Sequence, residues 1–218
     1  ILMPKMKIVE DVAQLDIGVL AYPKRKQKRL IDVDNNLLTL IGLFIAEGHV
    51  TRVKKGKNVL FSFGKHETRL IDLTCQLVKS AFGIQPTIFD KPSATVVLIS
   101  SELVGRFFEQ FGHGARGKYI PLWILKLPPE KQLRLLQGYW FGDGHLGQRT
   151  KQSIQLDAST VSRSLAYSLR VIMHRLNMLH SLYKYKTRES KINGRTIKGN
   201  QDLFVIRAGG KSTTRLAQ

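Results

Sequence analysis

The chain has 218 residues, 43% of them hydrophobic, which is enough for one large globular domain or two small ones. Its 35 Lys and Arg against 16 Asp and Glu give a net charge of +19, which favours nucleic acid as the partner over an anionic membrane surface. Cys75 is the single cysteine and no apolar run could span a bilayer, which excludes internal disulfides, cysteine-zinc fingers and membrane spans, so we expect a cytoplasmic protein with access to the nucleoid.

Residues 1–36 form an N-terminal extension that has no counterpart later in the chain. Five of the six residues at positions 24–29 are Lys or Arg. Such a run is typical of a solvated arm, and direct contact with DNA is the alternative. Asp34, Asn35 and Asn36 follow as candidate N-caps, so we expect a helix to begin directly after them.

The rest of the chain is predicted to alternate helices and strands in two halves, residues 37–111 and 131–218. A linker, residues 112–130, is indicated between them by its glycines and prolines. Apolar spacing of three and four predicts helices, and alternation with β-branched and aromatic residues predicts strands. Besides the repeated segments described next, the predicted helices are 67–81 and 161–176, and the predicted strands are 58–63, 87–89, 95–99, 153–156, 181–185 and 203–207.

One ten-residue segment occurs twice. Residues 40–49, LIGLFIAEGH, return as residues 136–145, LQGYWFGDGH, at a constant offset of 96 positions. Small residues lie four apart in each copy, beginning at Gly42 and at Gly138. A helix face without bulky side chains allows close approach of two backbones, so we expect the two helices to cross on a pseudo-two-fold axis.

Each repeated helix is predicted to end at an acidic residue, Glu47 or Asp143, with Gly48 or Gly144 in the left-handed conformation after it. A carboxylate is disfavoured at the negative end of a helix, and a second carboxylate nearby is worse. A cation is therefore expected at this point, and hard oxygen ligands are suited to Mg²⁺. In a strongly basic protein this pattern indicates phosphodiester hydrolysis.

The two segments resemble the paired signatures of the LAGLIDADG homing endonucleases, and residues 115–121 resemble the approach to the second signature. The resemblance implies an α+β fold in which two pseudo-symmetric αββαββα repeats form a saddle over double-stranded DNA. It implies that Glu47 and Asp143 are the catalytic, metal-binding acids, with the carbonyls of Ala46 and Gly142 as further ligands. Two or three divalent ions are implied, Mg²⁺ with Mn²⁺ as a substitute.

The implied activity is that of a monomeric enzyme of intron homing, which cuts both strands of a long, asymmetric DNA target. Glu at position 47 and Gly at position 142 depart from the usual signature, but members of the family vary at both. No cysteine lies near the start of the chain and no His-Asn pair at its end, so we expect no protein splicing. An intron RNA maturase on the same fold, with intron RNA as its partner, is the alternative.

Basic residues of the predicted hairpin regions are the candidate DNA contacts, through phosphates or base edges. For any single one of them, a solvated cationic rim is the alternative. Lys65, His66 and Lys211 are also candidates for an auxiliary role, positioning the attacking water or neutralising phosphate. The predicted DNA contacts are Arg52, Lys54, Lys55, Lys57, Lys65, Arg149, Lys151, Lys184, Lys186, Arg188, Lys191, Arg195 and Lys198.

Overall fold

The computed structural model describes residues 9–19, 28–54, 56–150, 153–187, 190–192, 195–197 and 201–217. These residues form two halves that both follow the order αββαββα. The predicted α+β fold with two repeats is therefore confirmed. In the part of the chain that is described, no helix has the length and apolar character needed to cross a bilayer.

A short hairpin precedes the first half. In chain order the elements up to the linker are β1 Gln14–Asp16, β2 Leu30–Asp32, α1 Asn35–Glu47, β3 Gly48–Val53, β4 Gly56–Phe63, α2 Thr68–Phe82, β5 Thr87–Lys91, β6 Ala94–Ser100 and α3 Glu102–Glu109.

Two short helices lie in the linker, and the second half carries an inserted hairpin, β10 with β11. In chain order these elements are α4 Gly114–Gly117, α5 Leu122–Lys126, α6 Pro129–Asp143, β7 Gly144–Thr150, β8 Ser153–Thr160, α7 Arg163–Arg175, β9 His180–Lys186, β10 Ser190–Ile192, β11 Arg195–Ile197, β12 Asp202–Gly209 and α8 Lys211–Ala217.

Helix α1 begins at Asn35, after the first of the three candidate N-caps, and ends at Glu47 as predicted. The Leu37 amide donates to the Asp34 carboxylate at 2.8 Å, so Asp34 is the N-cap. From Leu37 to Ile45, every residue except Thr39 is buried. A helix that is apolar on nearly all sides is surrounded by the rest of the protein, which places α1 in the centre of the molecule.

Each half contains one four-stranded antiparallel sheet, ordered β3-β4-β6-β5 in the first half and β7-β8-β12-β9 in the second. One face of each sheet packs on helices: the Phe61 ring of β4 lies 6.0 Å from that of Phe44 in α1, and the Phe204 ring of β12 lies 6.4 Å from that of Tyr167 in α7. We call this the helix side and the opposite face the outer face. Because side chains alternate along a strand, register alone assigns each residue to one of them.

The predicted left-handed conformation of Gly48 and Gly144 is wrong. Both are extended, with φ of −96° and −82°, and each starts a strand directly after its helix. Glycine is needed here for space. A Cβ on Gly48 would lie 2.2 Å from the Phe44 ring, and one on Gly144 would lie 2.2 Å from the Trp140 carbonyl oxygen.

Two acidic residues in the described part of the N-terminal extension pair with lysines of α5 and α6. Glu10 pairs with Lys126 of α5 at 3.0 Å, and Asp11 pairs with Lys131 of α6 at 2.5 Å. Of the basic run at 24–29, residues 24–27 lie outside the described residues. Arg29 pairs with Asp16 of the same hairpin at 2.7 Å.

Candidate active site

Helices α1 and α6 touch along their small residues. A Cβ on Gly42 would lie 2.2 Å from the Leu135 carbonyl oxygen, and one on Gly138 would lie 2.1 Å from that of Thr39. Such separations are far inside van der Waals contact, so only hydrogen can occupy these positions. The predicted crossing of the two bare faces is therefore confirmed.

This crossing brings the two acidic helix ends into one cleft of about 390 Å³. Glu47, at the end of α1, and Asp143, at the end of α6, both line it, as does Ala46. Gly142 lies against the same point, since a Cβ there would come 2.6 Å from the Cβ of Ala46 and 3.0 Å from the Cγ of Glu47. The four residues predicted as metal ligands are thus brought together.

Both carboxyl groups are protonated more readily than in water. Burial, followed by the charges of Asp143 and Glu67, raises the pKa of Glu47 to about 7. Burial also raises the pKa of Asp143, while a hydrogen bond with the Tyr139 hydroxyl and the charge of Lys118 lower it. Two partly buried carboxylates that repel each other are stabilised by a shared cation.

Lys118 also lines the cleft, and the sequence did not single it out. Its side chain is buried, and Nζ donates to the carbonyl oxygens of Phe44 at 2.8 Å and Gly48 at 2.7 Å. Nζ lies 3.7 Å from the centre of the Phe44 ring, a cation–π contact. The lysine thus caps the end of α1 beside the acid pair. Burial lowers its pKa to about 7, against the opposing effect of Asp143.

The donors in the cleft fit a hard divalent cation. Glu47 and Asp143 offer carboxylate oxygens and the ends of the helices offer carbonyls, which are ligands that Mg²⁺, Mn²⁺ and Ca²⁺ accept. Nowhere in the described ranges do three or more His, Cys, Asp or Glu side chains form a group that could hold a metal. The acid pair alone would leave positions for water and for phosphate oxygens of a substrate.

The turn between β4 and α2 contains Glu67, whose charge acts on Glu47. Lys65 and His66, the candidate auxiliary residues, are exposed in it. The carboxylate of Glu67 accepts a hydrogen bond from the Gly64 amide at 2.6 Å and contributes to the raised pKa of Glu47. An auxiliary role for Lys65 or His66 stays a prediction.

Several predicted DNA contacts lie on the helix side of their sheets. Lys57 is 13% exposed and pairs with Glu109 of α3 at 2.5 Å and with Glu102 at 3.8 Å. Lys184 and Lys186 of β9 both pair with Asp202, at 2.9 and 2.8 Å. These three lysines are occupied by carboxylates of the protein itself, which favours a structural role for them.

The other predicted contacts are exposed or not described. Arg52 lies opposite Lys57, on the helix side at the end of β3, and Lys54 is in the turn that follows; both are exposed. Lys55, Lys151, Arg188 and Lys198 lie outside the described residues, as do the side chains of Arg149, Lys191, Arg195 and Lys211.

Comparison with known sequences identifies one domain family. A family model described as a LAGLIDADG-like domain matches residues 34–112 and 130–215. The ATP-dependent DNA helicase Hel308 of Thermococcus kodakarensis is 29% identical over 178 residues, which cover 79% of this chain and 15% of the helicase. Protein MJ0043 of Methanocaldococcus jannaschii is 29% identical over 174 residues, 77% of this chain and 20% of its own length. The chain therefore spans a fifth or less of these relatives.

Comparison with solved structures gives the same fold. The homing endonuclease I-DmoI in complex with DNA and Mn has a TM-score of 0.55 at 12% identity, covering 85% of this chain and 94% of that one. Mesophilic variants of I-DmoI have a TM-score of 0.56 at 11% identity, with the same coverage. At such low identities the likeness concerns the fold alone.

Proposed function

This chain belongs to the LAGLIDADG-like domain family, and from that premise we propose that it is a site-specific endonuclease that cuts both strands of double-stranded DNA. One observation carries the proposal: Glu47 and Asp143, at the ends of the paired helices α1 and α6, meet in one cleft with the buried Lys118. The net charge of +19 supports a polyanionic substrate. We propose that the enzyme is a monomer, because one chain already contains both halves of the cleft.

The acid pair would hold divalent metal, with Mg²⁺ as the proposed ion and Mn²⁺ as a substitute. Bound there, the metal would supply Lewis-acid stabilisation of the charge on the phosphate and would lower the pKa of water. Glu47 and Asp143 fix the place where the scissile phosphate must lie. The Tyr139 hydroxyl beside Asp143 favours the ionised form of its carboxyl group, which is the form that binds metal.

Lys118 would contribute positive charge at this point, because a bound phosphate, like Asp143, favours its protonated form. Two carbonyl hydrogen bonds fix Nζ, so it needs little reorganisation when negative charge builds up on the phosphate. Lys118 and Phe44 lie on the α1 side of the cleft. The residue of α6 that corresponds to Phe44 is Trp140, so the two sides of the cleft differ. We infer a long target that is correspondingly asymmetric.

The test is cleavage of a plasmid library with randomised inserts, in Mg²⁺ and in EDTA. We expect the protein to linearise a subset of plasmids in Mg²⁺ only. Glu47→Gln and Asp143→Asn are each expected to lose at least about 100-fold in cleavage rate while retaining affinity for the selected target. Glu130→Gln, which removes a carboxylate at the opposite end of α6, is the matched control.

Near-normal cleavage by both Glu47→Gln and Asp143→Asn would reject the proposed site. The same preparations are to be tested for binding to structured intron RNA and to duplex DNA. A preference for RNA without DNA cleavage would support the maturase alternative, in which intron RNA is the partner.

A further inference from the structure

In each sheet, one residue from each of the four strands lies in a row across the outer face, next to the acid pair. We call this row the rung, and it differs between the two halves. In the first sheet, strand register places His49, Leu60, Leu98 and Thr87 side by side across the outer face. In the second sheet the corresponding rung is His145, Asp157, Arg207 and Ser181. Each rung starts at the histidine two residues after a catalytic acid. An ion pair thus replaces two leucines at related places.

The ion pair holds Arg207 in one orientation. Its Nε lies 2.9 Å from Asp157 Oδ1 and its Nη2 lies 2.7 Å from Oδ2, a bidentate pair. Asp157 is only 4% exposed, and Gln155 donates a further hydrogen bond to it at 3.2 Å. On the neighbouring strand, the Tyr183 ring lies 5.1 Å from the Arg207 guanidinium and stacks on Tyr185. The guanidinium is therefore fixed by both neighbouring strands.

One edge of this guanidinium remains open. Asp157 occupies the edge formed by Nε and Nη2, whereas Nη1 has no hydrogen-bond partner among the described residues. The Arg207 side chain is 31% exposed. The edge between Nη1 and Nη2 can therefore donate two parallel hydrogen bonds, the geometry in which arginine recognises O6 and N7 of guanine in the major groove.

Stability does not account for the pair. A largely buried ion pair gains little over hydrophobic residues of similar size, and the first half fills the same rung with Leu60 and Leu98. Leu60 is 9% exposed, so the apolar rung is well packed. The presence of Asp157 and Arg207 where the first half has leucines is therefore better explained by recognition of DNA than by stability.

We propose that Arg207 selects guanine at one position of the DNA target, and that Asp157 and Tyr183 are its positioning residues. This inference rests on the proposed function, since it requires DNA across the outer face. Neighbouring strands lie about 4.8 Å apart, so Arg207 stands about 10 Å from His145. The selected guanine should thus lie within about three base-pair steps of the position facing His145, near the cut.

The test separates sequence preference from cleavage. The full chain selects duplexes from a random pool by binding in EDTA, and the bound fraction is sequenced for the wild type, Arg207→Lys and Asp157→Asn. Arg207→Lys keeps the charge but loses the planar fork. We expect it to lose a 5- to 150-fold preference for guanine at one position, about the range of one bidentate contact, with the other positions unchanged. Asp157→Asn should weaken the same preference.

Lys184→Gln is the matched control, because it removes an ion-paired cation from the helix side of the same sheet. It should leave the selected sequence unchanged. A second measurement alters only the DNA: 7-deazaguanine at the selected position removes the N7 acceptor. It should weaken binding by the wild type about tenfold and have no such effect on Arg207→Lys.

An unchanged guanine preference in Arg207→Lys would overturn the inference. If that variant does not fold, a wild-type affinity that is the same for guanine and 7-deazaguanine at every guanine position would overturn it as well. A protein that binds duplexes with no sequence preference would contradict both the inference and the proposed site-specific function. Loss of guanine selection at a position far from the cut would overturn the placement of Arg207 but leave the proposed function standing.

Discussion

Lys118 places a buried amino group beside the acid pair Glu47 and Asp143. It reaches the cleft from the linker, 71 positions after Glu47, and binds carbonyls on both sides of that acid. Residues 115–121 resemble the approach to the second signature, but nothing in that segment singles out Lys118, which follows a glycine-rich turn and lies in no repeated segment. Only the tertiary fold brings a buried cation to the end of α1.

We expect Lys118→Met to slow cleavage by about 100-fold, because a positive charge held in place at the phosphate is lost. Methionine preserves the length of the side chain, so the fold and the affinity for DNA should be retained. Single-turnover cleavage of the selected target measures the effect. Lys126→Met, in the same linker but paired with Glu10 away from the cleft, is the control. Wild-type rates in Lys118→Met would show that the lysine only supports the helix end.

The basic residues show where sequence patterns stop being informative. Charge alone indicated a nucleic-acid partner but not which lysines face it. The alternation of side chains along a strand does indicate which face a lysine occupies. In β4, Lys57 is on the same face as the buried Val59, Phe61 and Phe63, which places it on the helix side. Lys184 is likewise in step with Leu182. Their acidic partners, on α3 and β12, become neighbours only through the fold.

At the level of elements, the contact of α1 with α6 was predictable because both copies of the repeat contain the small residues that allow it. Gly42 and Gly138 leave bare faces, and close packing follows from steric principles alone. The conformation of Gly48 was not predictable in the same way. A glycine after a helix usually adopts the left-handed conformation, but here the chain turns straight into β3, and the Phe44 ring excludes a Cβ.

We expect Gly138→Ala to lower the free energy of unfolding by about 3 kcal/mol, because the new methyl group overlaps the Thr39 carbonyl and the helices must separate. Denaturant unfolding followed by circular dichroism measures it. Gly117→Ala is the control, since a Cβ there would meet no atom within 4 Å. Equal losses in the two variants would contradict a backbone contact at Gly138.

For the whole molecule, the repeat explains both the symmetry and its limits. Two halves of the same topology place their acids together, and this much followed from the sequence. One divergence between the halves lies on the outer faces, where Leu60 and Leu98 correspond to Asp157 and Arg207. The sequence did not reveal this exchange, because pairing those positions requires the register of β4 with β6 and of β8 with β12.

The central claim is that Glu47 and Asp143 share divalent metal with a DNA phosphate. The most direct measurement is anomalous scattering from Mn²⁺ in crystals of the protein with its selected duplex. We predict a peak within coordination distance of both carboxylates and of a phosphate oxygen, and none in crystals of the Asp143→Asn variant at that place. An anomalous peak away from the two carboxylates, or DNA lying on the helix side of the sheets, would contradict this claim.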